Sequence, residues 1–390
     1  QQMILLRDPL HLTDAQLAIP RPLGPLLGLM DGTRDEEALE AALQIRAGVR
    51  LAPGLMVSLL ADLDEALLLE NERYAQAKAN ALRSYREAPF RPMTTDDAGF
   101  SSEADQARAQ LQAFLDELPP AQPPADDGVA KGTIRGIVSP HIDYQRGGPV
   151  YAEVWRAAAQ AAREAELVIM FGTDHQGGAG ALTLTRQSYG TPWGVLPTDE
   201  QVVDALAEVL GEEVFAEELH HRGEHSIELA AIWLHFVRNG EPVPMVPILC
   251  GHFGDFIEGV PNLASYEPFD SAVRVLAEVM ASRRTLVVAA ADLAHMGPAF
   301  GDPYGLDYIG RAQLRNADER LLETVYAGDS GAFFGELRNE RDRRHVCGLP
   351  PIYLTLRLLG ETRGELAGYA LCPADQQGMS FVTIAGVILY

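Results

Sequence analysis

Cysteine is scarce in this chain, with three residues among 390. So few cysteines give no disulfide framework, and reduced thiols in a cytoplasmic protein fit this usage better. Cys250 and Cys372 end apolar stretches and are expected to be plain core residues. Cys347, in RRHVCGLPPI, has a different setting, because the arginines and the histidine before it would favour a thiolate.

Basic residues are also few: 31 Lys and Arg stand against 55 Asp and Glu, for a net charge of -24. This excess argues against nucleic acid or an anionic membrane surface as a partner, because like charges repel. No apolar run approaches the roughly 20 residues of a membrane span. The start, QQMILLRDPLHL, has too short an apolar stretch for a secretory signal. We therefore expect a cytoplasmic protein with no membrane partner.

Hydrophobic residues make up 47% of the chain, enough for a large core, and the length of 390 residues suggests roughly two domains. Residues 1–85 carry apolar residues at three- and four-residue spacing, which predicts a small helical accessory domain. Residues 86–130 are predicted to be a linker with one short helix, QARAQLQAFLDEL. Its best linker candidate is the proline-rich stretch from Pro119 to Gly128. Residues 131–390 form the main domain.

The main domain shows alternating strand and helix patterns from about Thr133 onward. Short buried runs such as LVIMFGT and TLVVAA alternate with amphipathic stretches, among them a helix predicted over 149–164. Such alternation implies strands that are covered by helices on both faces. The predicted fold class is therefore α/β, with a mixed central sheet flanked by helices and preceded by the small, mainly helical domain.

Histidines follow three of these buried runs. His141 ends TIRGIVSPHID, His175 ends LVIMFGTDH, and His295 follows TLVVAAADLAH, with Asp292 one helical turn before it. The carboxyl ends of parallel strands meet at one edge of a sheet, where such folds place their sites. The sequence therefore predicts that these side chains meet.

Four further histidines lie in EELHHRGEHSIELAAIWLHF. His225 opens the helix there, and the helix dipole disfavours its charged form, so it could act as a base or a hydrogen-bond donor. The simpler interpretation is a residue that only starts the helix. His220 and His221 are adjacent and point apart in any regular element, so we interpret them as loop residues near the mouth of the site.

Imidazole nitrogen, carboxylate oxygen and thiolate sulfur are ligands for iron, copper and zinc. His141, His175 and Cys347 could supply two nitrogens and one anionic sulfur, with positions left open for substrate, water or dioxygen. Asp292 or His295 could replace one of these ligands or orient one. Each histidine alone could be a satisfied core or surface residue. Together, at strand ends, they predict a mononuclear metal centre.

At these residues the chain resembles the MEMO family, also described as protein B of the AmmeMemoRadiSam system. The resemblance spans about residues 133–390, and the matching stretches occur in family order. They are SPHIDYQRGGPVYA, FGTDHQG, TPWGVLPTD, EHSIEL, ADLAHMG and HVCGLPPI.

The resemblance implies a fold similar to that of class III extradiol dioxygenases, with a metal held by His141, His175 and Cys347. Asp292 and His295 match the family's Asp-x-x-His, and His225 matches the histidine of the family's Glu-His-Ser. Members of this family bind iron or copper, so the resemblance implies iron as the first expectation for the metal in this chain, ahead of copper or zinc. The dioxygenases have a carboxylate where this family has cysteine, which argues against ring cleavage.

The chain departs from the family pattern near two histidines. HIDY stands where many members have HAGY, and TDH stands where serine often precedes the histidine. The extra carboxylates of Asp143 and Asp174 could shift the metal preference toward harder ions. The first 85 residues resemble, more loosely, PqqD-like winged-helix domains that bind leader peptides.

The leading hypothesis is a MEMO-type, metal-dependent oxidoreductase or dioxygenase-like enzyme acting on a small molecule or a peptide. His225 or His295 would move protons, and Asp292 would orient a histidine. The alternatives are a non-catalytic protein that binds peptides or handles metal, and a metal-dependent hydrolase. The system's name implies radical SAM and AMMECR-type partner proteins.

Overall fold

The computed structural model describes residues 2–94, 100–120 and 132–390. It divides into two compact units, one ending at Glu87 and one comprising Ala88–Tyr390. Most of the predicted proline-rich linker, from residue 121 onward, lies outside the described residues. Among the helices that are described, none combines the length and the apolar character needed to cross a membrane.

The first unit contains a hairpin followed by helices. β1 (Met3–Arg7) pairs antiparallel with β2 (Gln16–Pro20). The helices are α1 (Gly24–Leu27), α2 (Glu36–Ala47), α3 (Leu55–Glu65) and α4 (Glu72–Glu87). Asp35 starts α2 by accepting a hydrogen bond from Ala38 N, and the left-handed Gly48 ends it. The predicted mainly helical character is confirmed, and the hairpin adds to it.

The second unit alternates helices and strands. Its first half contains α5 (Ala104–Asp116), β3 (Gly136–Ser139), α6 (Tyr144–Glu164), β4 (Leu167–Thr173), β5 (Leu182–Leu184), β6 (Tyr189–Thr191), β7 (Gly194–Leu196), α7 (Glu200–Leu210), α8 (His220–Gly223) and α9 (Ser226–Val237). Its second half contains β8 (Met245–Cys250), α10 (Gly254–Glu258), α11 (Glu267–Ser282), β9 (Thr285–Ala290), β10 (His295–Met296), α12 (Tyr308–Tyr326), α13 (Ser330–Asn339), α14 (Leu349–Leu359), β11 (Gly364–Pro373) and β12 (Phe381–Leu389).

The central sheet has the strand order β10-β12-β3-β9-β4-β8-β5, and β11 pairs with β12. β3, β9, β4 and β8 are parallel, whereas the strands on either side of them run antiparallel. This arrangement confirms the predicted α/β class with a mixed sheet. The carboxyl ends of the four parallel strands lie side by side, and this is the edge where such folds bind ligands.

Both faces of this sheet are covered. Along β4, Leu167, Ile169 and Phe171 enter one hydrophobic core, while Val168 and Met170 enter the core on the opposite face. This strict alternation follows from the two-residue period of a strand. Because both faces are buried, the strand reads as a continuous apolar run.

Helix α6 begins earlier than the prediction over 149–164. Asp143 accepts a hydrogen bond from Arg146 N and starts the helix at Tyr144, so Pro149 lies inside the helix. A proline suits a helix start better than an interior, which explains the misplaced boundary. The amino end of α6 therefore follows His141 almost directly.

Candidate metal centre

β3 delivers His141 to the carboxyl edge of the sheet. Its backbone N–H donates to Asp292 Oδ1 at 2.8 Å, and its ring Nδ1 lies 3.0 Å from Ala290 O. A carbonyl oxygen can only accept, so Nδ1 carries the proton and Nε2 of the neutral ring presents a lone pair. The side chain is buried, and the hydrogen bond at Nδ1 fixes the direction of that lone pair.

β4 delivers His175 to the same edge. Its backbone N–H and its ring Nδ1 lie 3.1 Å and 2.9 Å from Glu224 Oε2. The carboxylate accepts from both, so Nε2 is again the nitrogen of the neutral ring that can bind a metal. The ring also interacts with the Cys347 sulfur.

Cys347 lies in the turn between α13 and α14, with its Sγ 3.3 Å from His141 Nε2. Thr173 Oγ1 donates to Cys347 O at 3.1 Å, and Gly348 N donates to Asp292 O at 3.0 Å. Glycine is required at 348, because a Cβ there would lie 2.3 Å from Asp292 O. These contacts hold the turn against the ends of β4 and β9.

Two imidazoles and one sulfur thus converge. One ligand atom from each of His141, His175 and Cys347 lies within 4.8 Å of the other two, and the two rings meet edge to face at 86°. Metal–nitrogen distances of about 2.0 Å and metal–sulfur distances of about 2.3 Å allow one ion to contact all three. Two nitrogens and a soft sulfur suit iron, copper or zinc better than magnesium or calcium.

The three groups polarise one another. Burial alone would raise the pKa of Cys347, but the charges of His141 and His295 and hydrogen bonds from the imidazoles lower it to about 5. Burial opposes protonation of His141, yet the charges of Asp292 and Cys347 raise its pKa to about 9. Burial also opposes protonation of His175, whose hydrogen bonds to Cys347 and the nearby carboxylate raise its pKa to about 11. A metal cation that binds here must displace protons.

Glu224 was not predicted from the sequence. Its buried carboxylate accepts from His175 at Oε2 and from Ser226 N at Oε1, 3.0 Å away. Burial would raise the pKa of Glu224, but the hydrogen bond and charge of His175 hold it well below the usual range. Glu224 also precedes α9, where the helix dipole favours an anion. The only signal in the sequence was its place before His225 in EHS.

The remaining predicted residues surround the three groups. His225 caps α9, and its ring stacks on His175 with centroids 5.3 Å apart and planes 10° apart. Burial lowers the pKa of His225. His295 lies in β10, with Nδ1 3.2 Å from Leu293 O. Asp292 accepts the N–H groups of His141 and Ile142 at Oδ1.

A cavity of about 450 Å³ opens over these groups. The imidazoles of His141, His175, His225 and His295 line its polar part. Its apolar part is lined by Ile142, Leu229, Phe300 and Val382. The cavity is large enough for a small molecule or for one side chain of a peptide.

Two of the other predicted positions lie differently from expectation. His220 and His221 form the buried helix α8 rather than a loop near the mouth, so that prediction is wrong. The reason is local, because the buried Asp174 carboxylate contacts His220 Nδ1 at 2.8 Å and holds it inside. Asp143, the other extra carboxylate, pairs with Arg146 at the cavity rim.

Arg91 is a second residue that the sequence did not indicate. It is fully buried and forms an ion pair with Glu228 on α9. Its guanidinium also donates to Glu224 O at 2.9 Å and to His221 O. Arg91 therefore holds α8 and the start of α9 in place.

The fold and the cluster define a class: an α/β protein with a histidine–cysteine centre at the carboxyl edge of its sheet. The family model described as Memo-like protein matches residues 91–388, and the chain belongs to the Memo family. Relatives agree. The chain is 24% identical over 396 residues to a MEMO1 family protein of Aquifex aeolicus, covering 99% of this chain and 96% of that protein.

Other relatives match a smaller share of the chain. A MEMO1 family protein of Methanopyrus kandleri is 28% identical over 278 residues, covering 70% of this chain and 88% of its own length. One from Methanosarcina acetivorans is 27% identical over 243 residues, covering 60% and 78%. The membership predicted from the motifs is confirmed.

Proposed function

We propose that the cavity holds one transition-metal ion on His141, His175 and Cys347, with iron as the first expectation, and that the protein is a metal-dependent oxidoreductase. The observation that carries this proposal is the convergence of two imidazoles and one sulfur, with Nδ1 of each imidazole held by an acceptor. Such anchoring is how metal-binding histidines are oriented in proteins. When bound, the ion would supply Lewis acidity and one-electron redox chemistry.

The residues around the ion have separate tasks. Asp292 holds the backbone at His141 and, with Oδ2 3.8 Å from His141 Nε2, adds negative charge that favours a cation. His225 and His295 line the cavity and can give or take a proton from a bound molecule. For His225, the depressed pKa keeps the ring neutral at pH 7, so it serves as a base.

The apolar wall would orient the substrate. Phe300 packs edge to face on His295 with ring centroids 5.1 Å apart. Leu229 and Val382 complete a surface that excludes water beside the imidazoles. A substrate with one polar, oxidisable end and one apolar part suits this division.

Elemental analysis of anaerobically purified protein tests the proposal. We expect about one iron or copper ion per chain in the wild type, and its loss in His141→Ala, His175→Ala and Cys347→Ala. His252→Ala is the matched control, because His252 also follows a parallel strand but is exposed outside the cavity. Oxygen consumption or reduction of an artificial acceptor by the loaded protein would then support the oxidoreductase.

Other results would favour the alternatives. Stoichiometric zinc, with hydrolysis and no redox turnover, would replace the oxidoreductase with a hydrolase. A bound metal without any turnover, with loss of a peptide partner in His225→Ala, would favour a binding protein. No metal after reconstitution, in wild type and variants alike, would refute the metal centre.

A further inference from the structure

Glu224 contacts two imidazoles at once. Its Oε2 accepts from the backbone N–H and from Nδ1 of His175, at 3.1 Å and 2.9 Å. Its Oε1 accepts from Ser226 N at 3.0 Å and lies 3.4 Å from His225 Nδ1. One carboxylate thus engages the Nδ1 side of both stacked rings.

We propose that Glu224 is a positioning residue that selects Nε2 of His175 as the metal-binding nitrogen and holds His225 parallel to it. The inference rests on the proposed function, since it concerns how one ligand of that centre is oriented. It assigns Glu224 no contact with the ion itself.

The selection follows from hydrogen-bond chemistry. A neutral imidazole has one protonated nitrogen and one lone pair, and a carboxylate can only accept. A proton on Nδ1 satisfies Glu224, so the lone pair must lie on Nε2, the side of Cys347. A neutral amide at this position could donate as well as accept, so both tautomers of His175 would become accessible and the metal-binding one would lose its advantage.

The other histidine of the centre provides an internal comparison. His141 Nδ1 is held by a backbone carbonyl, Ala290 O, at 3.0 Å. His175 is held by a charged acceptor, which forms the stronger hydrogen bond and makes the ring a more basic ligand. The two ligands are therefore oriented by the same means but with unequal strength, and only the His175 acceptor can be removed by a side-chain substitution.

The position of Glu224 is itself well determined. Its side chain is 7% exposed, and its backbone carbonyl accepts from Arg91 at 2.9 Å. Its carboxylate lies at the start of α9, where Ser226 N supplies one donor and the helix dipole adds a favourable field. These contacts hold an anion in place before any metal binds.

The competing interpretation is a second metal site on Glu224, His175 and His225, whose potential ligand atoms also lie within 4.8 Å of one another. Two observations argue against it. Both carboxylate oxygens already accept backbone N–H groups. A second cation would also lie at the positive end of α9.

Zinc titration with a competing chelator tests the inference in the full chain, because zinc is diamagnetic and has no redox chemistry. For Glu224→Gln we expect about 10- to 100-fold weaker zinc binding, with the stoichiometry unchanged at one. Glu217→Gln, an exposed acid in the same segment, is the control and should bind zinc as the wild type does. Circular dichroism and thermal unfolding will show that each variant is folded.

Long-range ¹H–¹⁵N correlation spectra of the zinc-loaded protein provide a readout that a purely structural role would not change. We expect His175 to be protonated at Nδ1 and zinc-bound at Nε2 in the wild type, and a mixed population in Glu224→Gln. Zinc on Nδ1 in the wild type, or an unchanged affinity and spectrum in the variant, would overturn the inference while leaving the metal centre intact. Two zinc ions per chain, one of them lost in Glu224→Gln, would make Glu224 a ligand and also overturn it. No zinc in the wild type would refute both proposals.

Discussion

Two groups of histidines in this chain differ in how their ring nitrogens are used. The cavity histidines are His141, His175, His225 and His295, and the buried pair is His220 and His221. In the cavity group, Nδ1 of each ring contacts an acceptor of the protein, which leaves Nε2 toward the cavity.

The buried pair uses both nitrogens internally. His221 contacts Tyr189 OH through Nδ1 at 2.7 Å and Thr183 O through Nε2 at 2.9 Å. His220 contacts Asp174 at 2.8 Å and Glu217 at 3.5 Å. Neither ring can offer a lone pair without breaking one of these contacts. A histidine therefore becomes a candidate ligand through the direction of its remaining lone pair, and burial alone does not decide this.

The largest expected effect is on metal affinity, which should fall when the proposed centre is altered and stay unchanged when the buried pair is altered. Cys347→Ala removes one of three proposed ligands and should weaken zinc binding by roughly 10²- to 10³-fold, since each ligand carries a large share of the binding free energy. His221→Gln should leave the affinity within about twofold, because neither nitrogen is free to bind a metal. Chelator-competition titrations of both variants, beside wild type, provide the measurement. Equal losses would show that the buried pair also supports the metal, and the contrast would fail.

Arg91 contacts the backbone at His221 and at Glu224, next to His225. Its substitution should give the next largest effect, on the free energy of unfolding. Arg91→Met removes the cation from a fully buried pair with Glu228 and should lower the free energy of unfolding by about 3–5 kcal/mol. The loss would include the contacts to His221 O and Glu224 O. Urea unfolding followed by tryptophan fluorescence measures it, with Arg274→Met as an exposed control. Thr94 also donates to the Glu228 carboxylate, from its backbone N–H and its hydroxyl at 3.0 Å. A change as small as in the control would mean that these two donors satisfy Glu228 unaided.

Much of the fold could be predicted because the pattern of buried residues is periodic. The run LVIMFGT is apolar on both faces and lies in the sheet centre as β4. Helix α13 was not predicted, since only Phe333 and Leu337 are buried along its ten residues. The start of α6 was misplaced because Pro149 resembles a helix start.

The site could be predicted in part. His141 and His175 each follow a strand, so the sheet itself brings them together. Glu224 and Arg91 could not be found in this way, because their roles depend on contacts made far along the chain. Arg91 donates to His221 O across 130 residues, and no local pattern encodes such a contact.

Acid should lower the free energy of unfolding through His221, and this loss should be smaller than the loss caused by Arg91→Met. Burial lowers the pKa of His221 from 6.5 to about 4, so the folded state resists a proton that the unfolded state accepts. The stabilisation is complete above pH 6.5 and is lost progressively as the pH falls toward 4. Between pH 7 and pH 5 the loss should be about 2 kcal/mol. His221→Gln removes this pH-dependent loss, so the difference in free energy of unfolding between variant and wild type should narrow by that amount from pH 7 to pH 5. Urea unfolding at both pH values measures it, and a difference that stays constant would exclude His221 as the source of the loss.

The smallest effect is expected at the outer edge of the buried pair. Glu217 is 46% exposed, and its carboxylate lies 3.5 Å from His220 Nε2. A polar contact on an exposed carboxylate contributes less than about 1 kcal/mol, because water and salt screen it. Glu217→Gln should therefore shift the free energy of unfolding by less than about 0.5 kcal/mol, whereas His220→Gln should cost more, since it leaves the buried Asp174 carboxylate without its 2.8 Å partner. Urea unfolding at pH 7 in low and high salt measures both variants. A large, salt-insensitive loss in Glu217→Gln would show that His220 is held from the solvent side, and the buried pair would then depend on its surface contact rather than on Asp174.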